Sequence, residues 1–135
     1  MENIIANNKL IAEFMGYNFI DGDFKVTHSN KTSNSDFKEW CPTYWDDDLD
    51  SGGYLVSPSN LLFHSDWNWL MEVVEKIESI KIETYKVRVD IYFNCCQIYP
   101  THWDELISIY GNKETKLEIV YNACIEFIKW YSQQK

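Results

Sequence analysis

Four cysteines, three histidines and a run of aspartates are the residues of this 135-residue chain whose types could do chemistry. Zinc needs Cys or His ligands at short paired spacing. Here Cys95 and Cys96 are adjacent, no C-x-x-C occurs, and His28, His64 and His102 are scattered. No metal site is expected, and Cys95, Cys96 and Cys124 read as structural thiols. Asp46, Asp48 and Asp50 alternate as the ligands of a calcium loop do. Counted from Asp46, however, the sixth and twelfth positions are Ser51 and Ser57; counted from Asp48 they are Gly53 and Ser59. The closing glutamate is missing either way, so a solvated acidic loop is expected. Cys41, between Trp40 and Pro42, is the one thiol placed in a loop, and nothing in the sequence brings His64 or His102 to it as a base. An abundance of acids does not by itself make a glycosidase pair. The chain is expected not to be an enzyme and to carry no cofactor.

The aromatic and basic residues suggest binding instead. Trp40, Tyr44 and Trp45 fall in a polar, loop-like segment, where planar rings can stack on a base or fill a partner's pocket. The alternative is that this loop folds back and buries Trp40 and Trp45 as a lid. Trp69 lies one position off the helix face led by Trp67 and is free to point toward another layer or a subunit. Lys86, Arg88, His64 and the amides at the start of the second helix are candidate phosphate ligands. Asp66 already occupies that helix start, and the overall charge repels anions at long range.

These residues must be positioned by the elements around them. Residues 4–15 read as an amphipathic helix on Ile4, Ile5, Leu10, Ile11, Phe14 and Met15, stopped by Gly16. Short strands flank a turn at Asp21-Gly22-Asp23. Residues 27–62 read mostly as a long loop or insertion, with Tyr54-Leu55-Val56 as an edge strand. A second helix runs from about Asp66 to Ser79, with Trp67, Leu70, Met71, Val74 and Ile77 on its buried face. Tyr85 to Phe93 alternates strictly, placing Val87, Val89, Ile91 and Phe93 toward a core. Asn94 turns the chain into Cys95–Tyr99, ended by Pro100, and Leu106–Tyr110 follows as a third strand before Gly111. The last helix carries Leu117, Val120, Tyr121, Cys124, Phe127, Ile128 and Tyr131 at helical steps, opened by a Thr115/Glu118 capping box. Trp67, Phe127 and Trp130 are expected in the core. Together these elements predict a single α+β domain over 1–135, a three-layer helix–sheet–helix sandwich with a small, mainly antiparallel sheet.

Composition bounds the partners. Hydrophobic residues make up 45% of the chain and aromatics 16%, a globular composition. Net charge is −9 and Arg88 is the sole arginine, so direct nucleic-acid binding and docking on anionic membranes are not expected. No apolar run approaches a bilayer span, and the first residues lack the basic region of a signal peptide, so a cytoplasmic location with reduced cysteines is expected.

Three segments carry a family resemblance: Phe14-Met15-Gly16-Tyr17, His64-Ser65-Asp66-Trp67 continuing through Val73-Val74-Glu75-Lys76, and Tyr121-Asn122-Ala123-Cys124-Ile125. They resemble the turn, middle helix and terminal helix of small phage and prophage proteins of the ABA-sandwich type, over roughly two thirds of the chain. The resemblance implies a layered sandwich encoded by a phage, acting in the host cytoplasm, and carries over no catalytic residues. It makes plausible an anti-defence role in which the protein sequesters a nucleotide-derived signal of bacterial immunity. The ligand set expected for that role is Trp40, Tyr44, Trp45, His64, Trp69, Lys86 and Arg88, in a pocket that a homo-oligomer could complete. The competing expectation is an acidic protein–protein module that inhibits a host protein, with its charge steering it to a basic surface.

Overall fold

The computed structural model describes residues 3–26, 54–102 and 106–134. They form three α-helices and two small antiparallel sheets, the α+β class that the order of periodic segments predicts. The chain divides into two compact units, residues 1–61 and 62–135.

The first unit begins with α1 (Ile4–Phe14), which buries Asn8, Ile11 and Ala12. Asn8 is a polar side chain in an apolar setting, and its Nδ2 donates to the Leu61 carbonyl at 3.1 Å, which offsets its desolvation. Three strands follow in the order β1 (Asn18–Ile20), β2 (Asp23–Val26), β3 (Tyr54–Val56), so β3 is an edge strand as its sequence suggests. Ile20 pairs with Asp23 across Asp21 and Gly22, whose φ angles are 51° and 89°. Two left-handed residues match the twist of the flanking strands, and Asp-Gly is a favoured pair for them. Register puts Phe24 beside Val56 and Val26 beside Tyr54, and all four are buried.

The second unit holds α2 (Trp67–Ser79), β4 (Lys81–Ile82), β5 (Tyr85–Ile91), β6 (Cys95–Pro100), β7 (Ile107–Tyr110) and α3 (Lys116–Gln133), with sheet order β4-β5-β6-β7. The helices pack on this sheet, α2 against β5 and α3 against β6 and β7, and touch each other. The capping box at the start of α3 is complete: the Thr115 hydroxyl accepts from Glu118 N at 3.1 Å, and Thr115 N donates to the Glu118 carboxylate at 2.8 Å. At α2, Asp66 caps through the amide of Asn68 at 2.8 Å.

Two details of the second unit differ from expectation. The buried stripe of α2 is Trp69, Leu70, Val73, Val74 and Ile77, whereas Trp67 and Met71 lie on the exposed side. Either stripe satisfies helical spacing, and packing decides between them: Trp69 meets Phe63 edge-on at 5.2 Å between ring centres. Strand β5 stops at Ile91, so Phe93 does not enter the core but stands 82% exposed in the turn. There Tyr92 N donates to the Cys95 carbonyl at 2.7 Å, closing a two-residue loop of Phe93 and Asn94.

Candidate functional site

The alternation in β5 and β6 sorts their side chains onto two faces. Val87 pairs with Pro100, Val89 with Ile98 and Ile91 with Cys96; Cys96 and Ile98 in turn face Ile109 and Ile107 on β7. This apolar row lies under α2 and α3. The other face carries Lys86, Arg88 and Asp90 from β5, Tyr92 just beyond its end, Cys95, Gln97 and Tyr99 from β6, and Ser108 and Tyr110 from β7. Lys86, Arg88, Tyr92 and Tyr110 are exposed on it, whereas Cys95 and the Ser108 hydroxyl are buried.

On that open face Arg88 stands directly opposite Tyr99, and Asp90 opposite Gln97. Arg88 Nε donates to Asp90 Oδ1 at 2.9 Å, and the Tyr99 hydroxyl donates to Asp90 Oδ2 at 2.7 Å. The second bond is diagonal across the ladder, so the Tyr99 ring leans along the sheet toward Asp90. One carboxylate thus fixes a guanidinium and a phenol side by side. Burial alone would raise the Asp90 carboxyl, but the hydrogen bonds from Tyr99 and Arg88, with the Arg88 charge, outweigh it and hold its pKa below the ordinary value. The same bond to Asp90 raises the Tyr99 phenol, so Tyr99 stays a donor through neutral pH.

Cations gather along the same strip. Lys86 precedes Arg88 by two residues and shares its face, and Lys81 on β4 pairs directly with Lys86. Both lysines are exposed, and among the described residues neither has an ion-pair partner. Like charges placed directly opposite in a ladder destabilise it, so the pairing of Lys81 with Lys86 is costly without a counter-charge. The turn joining β4 to β5 is strained as well: Glu83 and Thr84 have φ of 54° and 73°, and neither is glycine. Beside it, His102 Nε2 lies 3.0 Å from Glu83 Oε1, and its ring stacks on Tyr85 at 4.1 Å.

The residues predicted as a single site do not come together. Lys86 and Arg88 share the open sheet face. Trp69 is 1% exposed, so it is a core residue rather than a surface stacking platform. His64 lies against Tyr121 of α3, with ring centres 6.3 Å apart, on the helical side of the sheet. Desolvation lowers its pKa, favouring a neutral ring near pH 7 and making it a poor phosphate ligand. Trp40, Tyr44 and Trp45, with Cys41 and the acidic run at 46–50, lie outside the described residues.

Sequence reasoning missed Tyr99, Asp90 and Lys81. Alternation along β5 already puts Asp90 on the face of Arg88, and Tyr99 could be found once the turn is placed at Phe93-Asn94 rather than at Asn94 alone. A one-residue change in register turns Tyr99 from the face of Val87 to that of Arg88. Strand β4 is only two residues long, too short to carry a periodic signal.

Among the described residues, no group of three or more His, Cys, Asp or Glu is placed to hold a metal ion, and no helix is long and apolar enough to cross a membrane. No protein-family model, curated protein or solved structure matches the chain.

Proposed function

We propose that this chain is a non-catalytic binding protein that captures a nucleotide-type ligand on the open face of its four-stranded sheet. The observation that carries the proposal is the Arg88–Asp90–Tyr99 network. A guanidinium fixed through Nε keeps its terminal amino groups for an anion, which a planar two-point donor suits well. A tyrosine ring laid beside it supplies a stacking surface, and stacking tolerates any base. Lys86 and Lys81 extend the positive strip, whereas the −9 net charge opposes non-specific anion binding elsewhere. The sequence resemblance to small phage proteins supports an anti-defence setting for this capture, as sequestration of a nucleotide-derived immune signal in the host cytoplasm. Thermal unfolding against a panel of cyclic nucleotides, mononucleotides and ADP-ribose derivatives tests it. Ligand at 100 times its dissociation constant stabilises the folded state by about 2.7 kcal/mol. The capture reading requires a selective rise in midpoint, with the ligand recovered unchanged after denaturation. A flat panel, or a chemically altered ligand, refutes it.

A second reading rests on a different observation. Phe93, Tyr92 and Tyr110 are 82%, 49% and 67% exposed, and Tyr92 and Tyr110 both neighbour Cys95 in the ladder. Exposed aromatics at one end of a sheet suit a protein contact. Together with the acidic charge they support an interaction module that inhibits a host protein. Loss of partner binding in Phe93→Ala with the nucleotide response intact would favour that role.

A further inference from the structure

The positive strip is wider than a single phosphodiester needs. Arg88 presents its terminal amino groups because Nε is engaged by Asp90. Lys86 lies two residues along the same face, and Lys81 lies directly across from Lys86. Three cations therefore line one strip of the β4–β5 edge, and Asp90 offsets only one of them. The two lysines face each other across the ladder without an ion-pair partner among the described residues, an arrangement that a shared anion relieves. A phosphomonoester carries a charge of about −1.5 to −2 at neutral pH and exposes three acceptor oxygens. A cyclic phosphodiester carries one charge and has only two free oxygens. The first can engage the Arg88 fork and a lysine ammonium at once, whereas the second is used up by the fork.

Resting on the capture reading, we infer that the ligand class of this face is a nucleotide with a terminal phosphomonoester, its phosphate held by Arg88, Lys86 and Lys81 and its base laid on Tyr99. The phosphate therefore lies over the β4–β5 edge and the base toward β6. The aromatic group of Tyr92, Phe93 and Tyr110 at the far end of the sheet is left out of the contact.

The test is equilibrium binding of nucleoside 5′-monophosphates and their 3′,5′-cyclic counterparts to the full chain, at pH 7.5 and pH 5. The extra charge facing the lysines makes the monophosphates about tenfold tighter at pH 7.5. That advantage shrinks toward pH 5, because the second phosphate proton binds near pH 6. Each cyclic nucleotide serves as its own control for titration of the protein. Lys86→Gln, a change at an exposed side chain, weakens monophosphate binding more than cyclic binding, because the doubly charged ligand loses more with the ammonium, and so narrows the preference. Cyclic nucleotides that bind as tightly as the monophosphates overturn the inference while leaving the capture reading in place. So does a monophosphate preference that is the same at both pH values. If neither class binds, both the inference and the capture reading fall.

Discussion

Gly111 follows β7 directly, and its backbone N–H donates to the Asn94 carbonyl at 3.0 Å, tying the end of β7 to the β5–β6 turn. A Cβ added there would lie 2.7 Å from Ile119 Cδ1, 2.9 Å from Ile119 Cγ1 and 2.9 Å from Glu114 Oε1. Glu114 is the flexible neighbour and can move. Ile119 cannot do so easily: it is 1% exposed in the first turn of α3, which packs on β6 and β7. Overpacking a tight site costs about 1–3 kcal/mol. Replacing glycine by alanine also restricts the unfolded chain, which returns about 0.4–1 kcal/mol. The net expectation for Gly111→Ala is a loss of about 1–2 kcal/mol. For a chain of this length that lowers the midpoint by about 4–8 °C. Urea unfolding followed by circular dichroism reads the change directly. Ile119→Val supplies the control, because it removes Cδ1, the atom of closest approach. Alone it costs about 0.5–1.5 kcal/mol. Combined with Gly111→Ala, the loss should be smaller than the sum of the two by about 1 kcal/mol, as expected for residues in contact. Unchanged stability in Gly111→Ala, or strict additivity in the double variant, would refute the close approach of α3 to the end of β7.

Other outcomes follow from the same structure. Thr84→Gly should stabilise the protein by about 1 kcal/mol in urea, because a β-branched residue at a φ of 73° is strained and glycine is not; a destabilised variant would contradict the strained turn. Cys96 and Cys124 should resist a thiol reagent at pH 8 until the protein unfolds, since burial pushes Cys96 up to about 12 and Cys124 higher still; rapid labelling of either in the native protein would be inconsistent with that burial. Asp90 should titrate below a free aspartate by carboxyl NMR, and Arg88→Ala and Tyr99→Phe should each move it upward. The sign follows from a depressed folded-state value: Asp90 stabilises the fold above the ordinary aspartate range, and that contribution disappears as pH falls through its folded-state value.

Helices and strands were legible in the sequence where periodicity is sustained, and less so where it is brief. The terminal helix was readable down to its capping box because Thr115 and Glu118 act locally. The Asp21-Gly22 hairpin was readable for the same reason. In α2 the spacing admitted two stripes, and the choice between Trp67 and Trp69 depended on Phe63, a partner outside the helix. The open sheet face was half legible. Lys86 and Arg88 show by alternation that they share a face, but Tyr99 joins them only through the register of a turn, and Lys81 only through a strand of two residues. His64 and Trp69 looked available because sequence does not reveal which side of a sheet a helix covers.

If the open face of the four-stranded sheet holds the ligand, the amides of that face must respond to it. The most direct measurement is backbone-amide chemical-shift mapping of the isotope-labelled full chain titrated with a nucleoside 5′-monophosphate. Shifts should concentrate at residues 81, 86, 88, 90, 97 and 99 and be lost in Arg88→Ala. Shifts concentrated at His64 and Tyr121 instead, or no shifts at all, would contradict binding on that face.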